Sequence, residues 1–328
     1  RDYHDIYAAR VTVGGQVLDT NGFRLSQSST HDSDPSVASN GKNFLVCWAT
    51  VLNQYSNKLS YARVLNTGQI SGPGENFIAS GYSPSRCNVT TDGTNYLLSW
   101  SGYPCGTKII DDAGNVIRTN LLSEFTSGEK IAGGGGGYLM TFQNANGIYG
   151  RPYTSAGAPS GAFDITTPMQ EWRGYSHAIA GNTRDFLLAY GQRYFSTNIY
   201  LTQITRTGRV IDSNILVVAH SVNVANEITL AGSRGTYLLA YTKSKPFDIA
   251  RLYARILQDR PQLVNERYSG GRFSMTLQGP AERIYEIEES SDLNVWVPAG
   301  QVTNVNGEIT FEVDAALPAR SYRSRTIE

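Results

Sequence analysis

Asn40-Gly41-Lys42-Asn43-Phe44-Leu45-Val46-Cys47-Trp48 reads as a tight turn followed by a strand, and the chain repeats it. It returns as Asp92-Gly93-Thr94-Asn95-Tyr96-Leu97-Leu98-Ser99-Trp100. A weaker copy is Gly136-Gly137-Tyr138-Leu139-Met140-Thr141-Phe142. Two more are Thr183-Arg184-Asp185-Phe186-Leu187-Leu188-Ala189-Tyr190 and Arg234-Gly235-Thr236-Tyr237-Leu238-Leu239-Ala240-Tyr241. Asn-Gly and Asp-Gly tolerate positive φ and mark hairpins. Leu and aromatic residues fill both parities of each run, as in a strand buried on both faces, and the runs are too short for helices.

Outward from this strand the unit completes itself. A short strand precedes each turn, as in Ser36–Ser39, Asn88–Thr91 and Ile228–Ala231. A third strand follows it, as in Leu59–Val64, Ile148–Arg151, Ile199–Ile204 and Leu252–Ile256, degenerating to Thr107–Ile110 in the second unit. A glycine turn and a weak fourth strand close the unit, as in Asn76–Ala79. Each unit is a four-stranded antiparallel meander of roughly 42–52 residues, the length of a propeller blade. One meander cannot bury both faces, so the units must stack. The expected fold is all-β: a β-propeller over residues 1–258, with a β-solenoid as the structural alternative.

The blade count stays at five or six. There are five aromatic-Leu strands but six third strands, because Ile6–Val11 and Phe23–Ser26 supply an extra third and fourth strand. These either complete the last blade or form half of a sixth. The chain opens Arg1-Asp2-Tyr3-His4, with strand-like sequence from Asp5, which reads as a processed product or a piece of a larger chain.

Asp259-Arg260-Pro261 reads as a linker. Alternating strands follow at Arg272–Leu277, Ile284–Glu289, Trp296–Gly300, Glu308–Val313 and Arg320–Ser324. Their period-2 pattern predicts a small β-sandwich over 262–328, packed on the propeller because so small a core is marginal alone.

Of the 328 residues, Lys and Arg number 28 and Asp and Glu 28. Zero net charge argues against a general electrostatic grip on nucleic acid or anionic lipid. No apolar run reaches the roughly 20 residues of a bilayer-spanning helix. The Tyr-, Asn-, Ser-, Thr- and Gly-rich composition fits an extracellular protein.

Residues 1–258 resemble secreted bacterial propeller repeats whose units read roughly NG-x-x-YLV-x-W, then DIY-x-x-RV, then G; the closest stretch is Asp5–Val11 with Gly15–Asp19. Residues 262–326 resemble a C-terminal sandwich module of many secreted bacterial proteins. Phe273, Leu277, Gly279, Tyr285, Ile287, Glu288, Ser290-Ser291-Asp292-Leu293, Trp296 and Tyr322-Arg323 carry that resemblance. The two resemblances imply architecture and a secreted or cell-surface location, and no fixed activity.

In a propeller the entrances to the first strands and the loops between second and third strands share one face. The expected ligand-binding group there is Trp172, Arg173, Tyr175, His177, Arg86 and Tyr103. Aromatic planes stack on sugars, and charged and amide groups hydrogen-bond hydroxyls. Packing between blades is the competing use of these aromatics. The leading reading is a non-catalytic module that binds a glycan or a surface ligand. The enzymatic alternative is a glycoside hydrolase using Asp34, Glu129 and Glu227 from different blades, which needs two carboxylates roughly 5–10 Å apart. No S-x-D-x-G-x-x-W box supports it. A third reading is a structural or assembly segment that meets another extracellular protein.

No Cys/His spacing suggests zinc; Asp32-Ser33-Asp34 resembles the start of a calcium loop but lacks its continuation, so no cofactor is expected, with calcium as the alternative. Gly133–Gly137 reads as a flexible turn. Cys47 is expected to be a buried thiol. Cys87 and Cys105 flank one end of the second unit and are a candidate disulfide.

Overall fold

In the computed structural model the described residues are all but 1–3, 83–85, 103–104, 123–126, 145–146, 167–174, 183–184, 193–197, 219–223, 234–235, 245–250, 259–260, 280–282, 306–307, 315–319 and 328. The described residues contain strands and no helix. β1 (Tyr7–Ala8) and β2 (Phe23–Arg24) form a two-stranded sheet. Four four-stranded meanders follow, each in sequence order. Blade 1 is β3 (Asp32–Ser39), β4 (Asn43–Asn53), β5 (Ser56–Leu65) and β6 (Ile70–Tyr82). Blade 2 is β7 (Cys87–Thr91), β8 (Tyr96–Trp100), β9 (Gly106–Ile110) and β10 (Val116–Leu121). Blade 3 is β11 (Ser127–Gly134), β12 (Gly137–Asn144), β13 (Gly147–Thr154) and β14 (Phe163–Asp164). Blade 4 is β15 (Tyr175–Gly181), β16 (Asp185–Gln192), β17 (Ile199–Thr205) and β18 (Val210–Val218). A three-stranded blade 5 has β19 (Val224–Ser233), β20 (Thr236–Ser244) and β21 (Arg251–Gln258).

First strands stack on first strands: β3 on β7, β7 on β11, β11 on β15 and β15 on β19. This is a β-propeller. The aromatic-Leu strand explains the stacking. Its Leu points to the following blade, and its leading aromatic points to the preceding one. Leu45 of blade 1 shares a core with Tyr96, Leu98 and Trp100 of blade 2. Leu97 meets Tyr138, Leu139 meets Phe186, and Leu187 meets Tyr237 in the next three junctions. The Tyr96 hydroxyl also donates to the Asn43 carbonyl of blade 1 at 2.8 Å. Burial pushes that phenol up to about 12.

Within a blade, bulk on the second strand is balanced on the third. Trp48 pairs with Ser60, and Trp100 with Gly106, where an added Cβ would lie 2.5 Å from the indole. Where the second strand carries a smaller ring, the third carries Tyr. Phe142–Tyr149, Tyr190–Tyr200 and Tyr241–Tyr253 each stack at 5.7–5.8 Å.

Glycine lets the first strands close up. Gly133, Gly181 and Gly232 hold the same place in blades 3, 4 and 5, opposite the leading aromatic of each second strand. An added Cβ would lie 2.0 Å from the Thr91 carbonyl oxygen at Gly133 and 2.3 Å from that of Gly133 at Gly181. At Gly232 it would lie 2.9 Å from the Gly181 oxygen. The five-glycine run is therefore not a flexible turn throughout. Gly133 and Gly134 are inner-strand residues, Gly135 and Gly136 make the turn at φ 54° and 82°, and Gly137 opens β12.

Beyond Pro261, β22 (Gln262–Ser269), β23 (Arg272–Gln278), β24 (Arg283–Ser290), β25 (Val297–Asn304), β26 (Glu308–Asp314) and β27 (Ser321–Ile327) make two three-stranded sheets, β22-β23-β26 and β25-β24-β27. Both contribute to one apolar cluster around Leu277, Tyr285 and Ile287. On the second sheet Arg323 pairs with Glu288 at 2.6 Å and lies over Trp296 at 4.3 Å. Arg325 pairs with Glu286, and Arg320 with Glu289.

Gly181→Ala should lower stability by about 2–3 kcal/mol, because two inner strands must separate to admit the methyl. Gly161→Ala, with open space around it and ordinary φ, should change it by less than about 0.5 kcal/mol. Equal denaturation midpoints for the two variants would contradict the close inner packing.

Candidate functional site

The first strands of blades 1, 3 and 5 carry a register shift near their entrances. It falls between Ser33 and Ser36, between Ser127 and Lys130, and between Ala225 and Ile228. Asp34, Glu129 and Glu227 lie in these three irregularities. A bulge frees side chains from the alternation of the strand and re-aims them. The three carboxylates have different fates. Asp34, at φ 52°, is exposed and accepts from the Ser33 hydroxyl at 3.2 Å. Glu129 is buried. Glu227 has its backbone in β19, and its side chain lies outside the described residues. They come from blades 1, 3 and 5.

Glu129 has the most developed surroundings. It stands at the entrance of β11 and faces blade 2, where the Ser101 side chain hydrogen-bonds its carboxyl. Arg86, just before β7, and Lys130, next in sequence, supply positive charge nearby. Burial wins over these influences and a backbone hydrogen bond at Glu129 itself, and holds the carboxyl above the usual carboxylate range. Arg86 itself is exposed, and its carbonyl accepts from the Ser101 amide at 3.3 Å, extending the β7–β8 pairing by one step at this end of blade 2.

His177 holds the same strand position in blade 4 as Glu129 does in blade 3, each four residues before the inner-strand glycine. Its ring is buried and its Nε2 has no hydrogen-bond partner among the described residues. Burial, reinforced by the Lys130 charge, lowers its pKa to about 4 against a hydrogen bond with the Thr141 backbone. It is neutral at pH 7. Lys130 thus stands between an acid that resists ionisation on one side and an imidazole that resists protonation on the other. Chemically, the group offers a buried carboxyl, two cations, a hydroxyl and a neutral imidazole over three consecutive blades.

Of the expected binding residues, the structure brings Arg86 to Glu129, and His177 to the adjoining junction. His177 is a buried residue rather than an exposed contact. Trp172, Arg173 and Tyr103 lie outside the described residues, and of Tyr175 only the backbone is described, opposite Gln192. Ser101 was not legible as a site residue. It is a small polar residue one step past Trp100, and only the pairing of β7 with β8 places it beside the next blade. Asp32 turns inward, accepting from Thr50 Oγ1 at 2.6 Å and Ser28 Oγ at 2.8 Å.

The expected Cys87–Cys105 bridge is not made, and Cys47, Cys87 and Cys105 are buried thiols outside any disulfide. The reason is strand order. Cys87 and Gly106 flank Trp100 from opposite sides, so β8 lies between β7 and β9. Two strand spacings are roughly 9–10 Å, beyond the roughly 4.4–6.8 Å Cα separation of a disulfide. Cys87 instead shares the blade 1–2 core with Cys47, whose thiol burial pushes up. Cys105 lies 3.7 Å from the Leu122 carbonyl.

No family model matches the chain, and no curated protein matches it. Solved structures do. An exo-β-1,3-galactanase from Phanerochaete chrysosporium is 7% identical with a TM-score of 0.39, over 98% of this chain and 96% of that one. The β-propeller domain of the trilobed protease from Pyrococcus furiosus is 11% identical with a TM-score of 0.38, over 81% and 96%. A glycoside hydrolase is 8% identical with a TM-score of 0.37, over 90% and 94%.

The two buried titratable groups should bend the pH–stability profile in opposite directions. Unfolded, the His177 ring takes a proton below its usual 6.5, whereas folded it waits until about 4. Stability is therefore lost as pH falls from 6.5 towards 4, by about 3 kcal/mol in all, and His177→Gln should remove that loss. Glu129 keeps its proton longer when folded. Its contribution is greatest at acid pH and declines as pH rises through the ordinary carboxylate range to its raised value, a decline that Glu129→Gln should abolish. Urea midpoints from pH 4 to 7.5 would show both; parallel profiles for wild type and variants would contradict the burial of these groups.

Proposed function

We propose that the protein is a recognition module that binds a glycan on the strand-entrance face of its propeller. The observation that carries this reading is the Arg86–Ser101–Glu129 group at the junction of blades 2 and 3, with Lys130 and His177 at the next junction. A carboxyl, a hydroxyl and a guanidinium together can donate to and accept from a pair of sugar hydroxyls. Among the described residues no helix is long and apolar enough to cross a membrane. Action at the cell surface or outside the cell, with residues 262–328 as an accessory sandwich, belongs to the same proposal.

One observation favours a second reading, a glycoside hydrolase. A buried carboxyl held above its usual range is what a general acid requires near neutral pH. Asp34 or Glu227 would then have to supply the second carboxylate from another blade.

Screening the protein on a glycan array and weighing the bound glycans by mass spectrometry separates the two. Binding with unchanged mass supports recognition. Shortened glycans support hydrolysis, and Glu129→Gln should then abolish turnover. Under the recognition reading, Arg86→Glu should weaken glycan binding at least tenfold without shifting the melting temperature, since Arg86 is exposed. Normal binding by Arg86→Glu would place the site elsewhere, and a blank array would remove the glycan reading.

A further inference from the structure

The two-stranded sheet β1-β2 stands to blade 1 as blade 1 stands to blade 2. Its turn closes with Gly15 N–H donating to the Thr12 carbonyl, as Gly68 does to Leu65 and Gly114 to Asp111. Arg10 lies against the Gly68 turn as Arg63 lies against the Gly114 turn. Ile6 and Leu25 bury Val46, Trp48, Ala62 and Val64 of blade 1, and Ala8 and Phe23 pack against the same cluster. Thus β1 and β2 occupy the third- and fourth-strand positions of a blade preceding blade 1.

The first- and second-strand positions of that blade are empty among the described residues, and three observations mark the slot. In blade 1, the third-strand residues Ser60, Ala62 and Val64 pair with Trp48, Val46 and Phe44 of the second strand. Their counterparts Tyr7, Ala9 and Val11 have no second strand beside them and are exposed. Val37 on the first strand of blade 1 is 62% exposed, whereas its counterparts Val89, Ile179 and Leu230 are each 8% exposed. What covers those three is the preceding blade's inner strands. Finally, the face of blade 5 that would look onto this blade is bare. Leu252 and Ile256 are 73% and 71% exposed, and Leu238 is 47% exposed where Leu45, Leu97 and Leu139 are fully buried.

We propose that this slot takes a β-hairpin of the repeat's own first-and-second-strand type, which completes a sixth blade between blade 5 and blade 1. The hairpin's second strand would pair along the open edge of β1 by β-strand addition. Its apolar residues would cover Val37 on one side and Leu238, Leu252 and Ile256 on the other. The pattern required is the one this chain writes five times: a short apolar strand, a turn, then aromatic-Leu-apolar.

A synthetic peptide with the sequence of residues 176–192, a cysteine-free copy of such a hairpin, tests this. Val37→Cys and Leu238→Cys are made separately in the full chain, and the rate of maleimide labelling is followed. The expected result is fast labelling alone and at least tenfold slower labelling at both positions with saturating peptide. A shuffled peptide should give no protection. The same hairpin fused ahead of Arg1 should protect both positions and raise the melting temperature by about 5 °C; if the fusion fails to fold, the added peptide decides alone. Unchanged labelling with the peptide, or equal protection by the shuffled one, would overturn the proposal. So would concentration-dependent protection without peptide, with a dimer on ultracentrifugation, because a second copy would then be the occupant.

Discussion

A four-stranded meander that is apolar on both faces cannot exist in water by itself, and the rest of this molecule follows from that constraint. Each blade gives Leu to the blade ahead and an aromatic ring to the blade behind, so a junction is made of two unlike halves. Leu45 against Tyr96, Leu97 against Tyr138 and Leu139 against Phe186 are the same contact made three times. The arrangement has a direction: beyond blade 5 the Leu half is left bare, with Leu238 47% exposed, while the aromatic half at blade 1, Phe44, packs against the cluster of Ile6 and Leu25. Fully burying one Leu or Phe side chain contributes roughly 1.5–3 kcal/mol, so a junction with several such residues outweighs any single polar contact described above.

The approach of the inner strands limits what can stand on them. At the glycine positions backbone meets backbone, and no side chain fits between. Four residues earlier the strands have diverged enough to admit the buried side chains of Cys87, Glu129 and His177, and burial shifts the titration of Glu129 and His177. The polar group therefore sits where divergence and burial overlap. Further out, toward Arg86 and Asp34, side chains are exposed and behave as ordinary surface groups.

Much of this was legible in the sequence, for a physical reason. The turn chemistry and the aromatic-Leu pattern are local, and all five second strands start within two residues of the aromatic that announces them. The third strands and the glycine turns were equally local. What failed was information that depends on order across a sheet. Cys87 and Cys105 sit at one end of a blade, yet a meander puts its second strand between its first and third, and Trp100 occupies the space a bridge would cross. The glycine run failed for a related reason. Gly133 owes its identity to Thr91 of another blade, a neighbour 42 residues away in sequence that no local pattern names.

The candidate site was legible in part, and the partial success follows from the bulges. Asp34, Glu129 and Glu227 stood out because carboxylates at strand entrances break an otherwise apolar pattern. The sequence could not separate Glu129 from the other two, because all three look alike as letters. The separation comes from the junction that Glu129 faces. Glu129 looks across to Ser101, a small residue that leaves space for a carboxyl and can hydrogen-bond it, with Arg86 at the rim. A larger residue than Ser101 would have forced the carboxyl outward into water, where it would titrate like any surface acid. The chemistry of this face is therefore set as much by the small residue at the end of the neighbouring second strand as by the acid itself.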